Sequence, residues 1–153
     1  VLRLGFAPHK IYRLAKLGKE FGVTVAQENV SRCTSGSLRF LKEMKRALGD
    51  DAHFVLDTKQ AIRSKENIFD VVRALGSSIV HVHISDHGER GDCLQIGKGR
   101  FDIRRFLRLL RQEGADCSIM LELYRSNFSN LTDLVSNYNT LVHMIGSLEP
   151  AGR

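Results

Sequence analysis

Four short apolar runs in this chain end on side chains that can hold a cation or carry a proton. Val23-Thr24-Val25-Ala26-Gln27 leads into Glu28-Asn29, and His53-Phe54-Val55-Leu56 into Asp57. Ile79-Val80-His81-Val82 leads into His83-Ile84-Ser85-Asp86, and Ser118-Ile119-Met120-Leu121 into Glu122. Three carboxylates gathered beside one imidazole repel one another and are costly to remove from water unless a cation lies among them. A divalent metal meets that need and leaves room for water or substrate oxygens. A donor set rich in oxygen suits Mn2+, Mg2+ or Co2+, with Zn2+ also permitted. The competing reading is that Asp57 and Glu122 only cap the helices or turns that follow them.

The elements that must bring these side chains together alternate along the chain. Each run has strand length and is rich in β-branched residues. Between the runs, apolar residues recur at helical spacing: Ile68, Val71, Val72, Leu75; Ile103, Phe106, Leu107, Leu110; and Leu131, Leu134, Val135, Tyr138, Leu141, Val142, Ile145. These three are expected to be one-faced surface helices. Two less regular helices are expected over Lys10–Phe21 and Ser37–Leu48, each ending at a glycine, Gly22 and Gly49. Strands alternating with helices spell βαβ units, hence an α/β fold with a parallel sheet. Chemistry in such folds collects at the carboxyl ends of the strands. Successive candidates lie 29, 26 and 39 positions apart, the last interval containing the Gly-rich loop Gly88–Gly99, so each βα unit supplies one.

Composition narrows the classes further. The 153 residues, 42% of them hydrophobic, suit one domain with a core, expected over 1–153. No apolar run approaches the roughly 20 residues that cross a bilayer, so no membrane partner is expected. Cys33, Cys93 and Cys117 are odd in number and form no Cys-x-x-Cys pair, which argues against a disulfide framework and for a reducing, cytoplasmic setting. The net charge of +6 is modest. The basic run Arg104, Arg105, Arg108, Arg111 reads as a solvated helix face, and nucleic acid is disfavoured as a partner.

The order Gln27-Glu28-Asn29-Val30, Leu56-Asp57-Thr58, His81-Val82-His83-Ile84-Ser85-Asp86, Ile96-Gly97-Lys98-Gly99 with Phe101-Asp102, and Leu121-Glu122-Leu123-Tyr124 resembles the sugar phosphate isomerase/epimerase family. That family has the xylose isomerase-like (β/α)8 TIM barrel and also includes endonuclease IV. The resemblance covers about Lys10 to Tyr138 and falls on the carboxyl-terminal half of such a barrel, roughly strands five to eight. A whole barrel takes about 250 residues. The expectation is therefore half a barrel: a fragment of a longer chain, or a homo-oligomer in which copies cover the open parallel edges.

Carried over residue by residue, the resemblance makes Glu28, Asp57, His83 and Glu122 the ligands of one metal. Glu28 and Glu122 would also be the acid/base pair that moves a proton beside a substrate carbonyl through an enediolate. The substrate implied is a sugar, sugar phosphate or cyclitol. The endonuclease pattern, with three zinc ions, would require histidines where Gln60 and Leu94 stand, and leucine cannot ligate zinc. Gln60 also replaces a histidine that contacts substrate in the epimerase branch, and with Asp86, Arg90 and Lys98 it completes the candidate substrate contacts. Asp86 has two further readings, an acceptor that orients His83 or a residue that opens the loop. Gly97-Lys98-Gly99 reads as a flexible loop rather than a phosphate loop. His81 reads as packing. The alternative to an enzyme is a noncatalytic or inactive barrel fragment.

Overall fold

The computed structural model describes residues 8–89 and 91–148. The elements are α1 (Pro8–Glu20), β1 (Gln27–Glu28), α2 (Leu38–Leu48), β2 (Phe54–Asp57), α3 (Thr58–Arg63), α4 (Ile68–Leu75) and β3 (Ile79–Ile84). There follow β4 (Asp86–Gly88), β5 (Gly91–Leu94), α5 (Ile103–Gln112), β6 (Ser118–Leu121) and α6 (Leu131–Gly146). Strands β1, β2, β3 and β6 form one parallel sheet in that order, and β4 and β5 form a separate antiparallel hairpin. This is the α/β class expected, with the strand order of successive βα units.

The two faces of the sheet differ. Side chains two apart on a strand share a face, and Phe54, Leu56, Ile79, Val82 and Ile84 are buried in one core with Leu41, Met44 and Leu48 of α2, Val71, Val72 and Leu75 of α4, and Phe106, Leu107 and Leu110 of α5. Burying side chains of this size contributes about 1.5–3 kcal/mol each, which makes this helix-covered face the main source of stability. The opposite face carries Asp57, His81, His83 and Met120. It is more open, and Met120 is 46% exposed.

Helix ends follow from the sequence. Asn67, Asp102 and Asn130 accept from the backbone N–H groups of Phe69, Arg105 and Asp133 at the starts of α4, α5 and α6. Gly49 ends α2 at φ 58° and Gly76 ends α4 at φ 52°, conformations that favour glycine.

Two expectations need correction. The first strand is shorter than the run from Val23: only Gln27–Glu28 pair with β2, and the Val23 N–H turns back to the Gly18 carbonyl at the end of α1, 2.8 Å away. The apolar stripe of α6 is not a buried face either. Leu141 and Asn137 are buried, while Leu131, Val135, Tyr138, Val142 and Ile145 are exposed. α1 likewise exposes Tyr12, Leu14 and Leu17. The helices flanking the two sheet edges thus present apolar surface that no described residue covers. Among the described residues, no helix is long and apolar enough to cross a membrane.

Candidate functional site

Parallel pairing brings all four strand ends to one edge. Asp57 and His83 are register partners, and the Glu122 N–H donates to the carbonyl of Ile84 at 3.0 Å, continuing the β3–β6 ladder by one residue. Buried polar side chains tie the strand ends together. The Asn29 amide donates to the Asp57 carbonyl at 3.0 Å and accepts from the Asp57 N–H at 2.7 Å, fixing the end of β1 to the end of β2. The Thr58 hydroxyl bridges to the backbone of Ser85, 3.3 Å from its carbonyl and 3.2 Å from its N–H, fixing β2 to β3.

On this scaffold Glu28, Asp57 and His83 each offer one ligand atom, all within 4.8 Å of one another. Glu122 stands beside them: its Oε2 lies 3.7 Å from His83 Nδ1, and Glu28 Oε1 lies 3.8 Å from the same nitrogen. Asp57 is 1% exposed. Its side chain accepts from the Gln60 N–H as the N-cap of α3, while Oδ2 is buried without a hydrogen-bond partner. Oε2 of Glu122 is orphaned in the same way. Unsatisfied buried carboxylate oxygens beside an imidazole are what a cation would satisfy, so the residues present fit a divalent ion.

A residue not singled out in the sequence sits at the centre. Lys59, 5% exposed, places Nζ 2.6 Å from Glu122 Oε1 and 3.3 Å from Asp57 Oδ2, with the Tyr124 ring centroid 5.7 Å away. Burial acts against the ammonium, but the Glu122 hydrogen bond and the charges of Asp57 and Glu122 outweigh it and raise its pKa. Burial also pushes Glu122 up, but the hydrogen bond from Lys59 and its charge hold it below the ordinary carboxylate value. Asp57 carries the strain of the arrangement: burial first, then the Glu122 charge, push it up to about 6. Three carboxylates and one ammonium leave two negative charges, the match of a dication. The signal that could have flagged Lys59 is a cation in the first turn of a helix, where the dipole opposes it.

The substrate candidates fare unevenly. Asp86 is 1% exposed, and its carboxylate accepts from the N–H groups of His87, Gly97, Gly99 and Phe101 at 2.7, 2.9, 2.9 and 3.0 Å. Four acceptances fill both oxygens, and none of the donors is His83, so Asp86 shapes the loop and the substrate-contact reading is revised. The loop itself is clamped rather than loose: a Cβ at Gly99 would meet Asp86 Oδ1 and the His87 carbonyl, both at 2.3 Å. Its amides face an internal carboxylate and so do not cradle a phosphate. Lys98 is exposed at the tip of this loop. Gln60 accepts from the Ser31 N–H at 3.0 Å. Arg90 lies outside the described residues. His81 packs edge-on against His83, ring centroids 5.0 Å apart, with Nδ1 2.6 Å from the Ser118 hydroxyl.

Comparison with solved structures shows the same architecture. An IOLI protein with a bound zinc atom superimposes with a TM-score of 0.74 at 18% identity, covering 91% of this chain and 55% of that one. D-psicose 3-epimerase from Clostridium cellulolyticum H10, solved with D-tagatose, gives 0.72 at 15% identity over 90% and 55%. A D-tagatose 3-epimerase-like protein gives 0.67 at 21% over 91% and 53%. The chain spans about half the length of these structures, as a partial barrel does. No curated protein matches it by sequence. The profile of the xylose isomerase-like TIM barrel matches residues 9–143, nearly the whole of the chain. The chain belongs to the xylose isomerase-like TIM barrel family.

Proposed function

We propose that this chain carries the metal-holding and proton-moving half of a sugar isomerase or epimerase, acting on a sugar, sugar phosphate or cyclitol through an enediolate. The observation that carries the reading is the convergence of Glu28, Asp57 and His83 within 4.8 Å, beside buried carboxylate oxygens that lack hydrogen-bond partners. The epimerase structures of like fold support the substrate class. Glu28, Asp57 and His83 would hold a divalent ion, and the zinc atom of the IOLI protein of like fold supports metal binding. When bound, the ion supplies positive charge against the oxygen that becomes negative as the carbon beside a carbonyl loses its proton.

The chain's own residues supply the rest. Glu122, held ionised by Lys59, is poised as a base, and Glu28, whose Oε1 lies 3.8 Å from the same His83 nitrogen, is the partner acid. The three-zinc nuclease reading gains nothing: among the described residues no other group converges as a metal site, Leu94 is 9% exposed in the hairpin, and Gln60 is engaged by Ser31.

With a divalent ion present, incubation with D-psicose, D-tagatose or D-fructose in deuterated water should exchange the hydrogen beside the carbonyl. Glu122→Gln should slow that exchange by about 10²–10⁴-fold, the usual worth of a positioned acid or base. Exchange as fast in Glu122→Gln as in the unaltered protein would end the acid/base assignment, and exchange in no sugar tested would favour an inactive fragment.

The open sheet edges and the uncovered faces of α1 and α6 support association, as a homo-oligomer or with the rest of a barrel. Sedimentation of the isolated chain at micromolar concentration should show dimers or larger species. A monomer with no self-association would count against this.

A further inference from the structure

The resemblance implies four metal ligands, but the geometry at Lys59 points to three. Lys59 enters the site from the first turn of α3, where burial and the helix dipole both oppose a cation, so its ammonium depends on the carboxylates it meets. Its shorter contact, 2.6 Å, is with Glu122 Oε1. That leaves Glu122 only Oε2, whereas Glu28, Asp57 and His83 turn their ligand atoms toward one another. Lys59 Nζ also lies 3.3 Å from Asp57 Oδ2, but its hydrogen bond is with Glu122, so an ion drawn to Glu122 would meet the repelling ammonium at closer range than one held by Asp57.

We propose that Lys59 is a positioning residue that reserves Glu122 for proton transfer: by holding Oε1 it keeps that carboxylate off the ion, which rests on Glu28, Asp57 and His83. This deepens the metal-assisted reading above and rests on it. The site then keeps its base free while the ion is bound, and the Lys59–Glu122 pair, neutral as a unit, adds no net charge to the metal's surroundings.

The test is Mn2+ titration of the full chain by calorimetry, with Co2+ absorption as a coordination readout. Removing the neutral pair together, Lys59→Met with Glu122→Gln, should leave Mn2+ affinity within about threefold and the Co2+ spectrum unchanged. Lys59→Met alone frees Glu122 to join the ion, so affinity should rise about tenfold or more and the Co2+ bands should shift. Lys59→Arg, which keeps the charge and the bond, should retain the original spectrum and guards against a folding defect in Lys59→Met. A double variant that loses Mn2+ as severely as Asp57→Asn would make Glu122 a ligand and overturn the inference, while leaving the metal-assisted reading intact. Uptake of no ion by the unaltered chain would instead remove that reading, and the inference with it.

Discussion

Asp57→Asn should lower Mn2+ affinity by about a hundredfold or more, and His83→Ala by a similar factor, with hundredfold corresponding to about 2.7 kcal/mol. The Asn variant separates the two roles of Asp57. Its carbonyl oxygen can still accept from the Gln60 N–H, so the cap on α3 survives, while the charge that faces the ion is gone. In the metal-free chain the same change removes a carboxylate that burial and the Glu122 charge disfavour, at the loss of one of the two charges facing Lys59, so the melting temperature at pH 7 should change little. Affinity should therefore collapse while the fold persists, a combination that general damage does not produce.

The pH dependence follows from the same group. Burial and the Glu122 charge push Asp57 up to about 6, so below that pH an ion must displace a proton to bind. Affinity should fall at least about tenfold per pH unit below 6 and level off above it. Calorimetry from pH 5 to 8 checks both statements. Affinity within threefold of the unaltered chain in Asp57→Asn, or a flat profile through pH 6, would place the ion elsewhere.

What could be read in the sequence was what depends on local pattern. Helices α4 and α5 follow their apolar spacing because each buries one stripe against the sheet, and the four strand ends were visible because a polar residue closing an apolar run stands out. The short α3 was not visible: its six residues are too few for a periodic signal, and Asp57 capping it is indistinguishable in sequence from Asp57 facing a metal. The hairpin of β4 and β5 was hidden inside a glycine-rich stretch that reads as loop. Lys59 was missed for a different reason. A lysine is ordinarily a solvated residue, and only the register that sets Asp57 beside His83, with Glu122 following β6, creates the anionic place that can hold its ammonium. Site residues set by tertiary pairing are the ones that pattern alone leaves out.

The loop between β3 and α5 offers the largest expected change in stability, at Asp86. Asp86→Ala removes a buried carboxylate that satisfies four backbone N–H groups, those of His87, Gly97, Gly99 and Phe101. Each buried donor left without a partner costs about 1–3 kcal/mol, and even if half of them turn to water the loss should be about 4 kcal/mol. By contrast, removing the exposed Arg39–Glu43 pair should cost no more than about 0.5 kcal/mol, because solvent screens it. Asp86→Asn should cost nearly as much as the Ala variant, since its NH2 group would face amide donors where an oxygen is needed.

The damage should spread in one direction. Phe101 packs its ring 5.4 Å from Phe106 and 5.2 Å from His87, so freeing its N–H loosens the entry to α5, whereas the metal-facing residues are held by Asn29 and Thr58 on the sheet. Urea unfolding should show the loss, and hydrogen exchange should speed up at Gly97, Gly99 and Phe101 while Mn2+ affinity stays within about threefold, a difference of no more than about 0.7 kcal/mol. A loss below about 1 kcal/mol would mean that these amides find water as readily as the carboxylate. A large fall in Mn2+ affinity would mean that Asp86 reaches the ion's surroundings through His83 after all, restoring the orienting role that the geometry denies it.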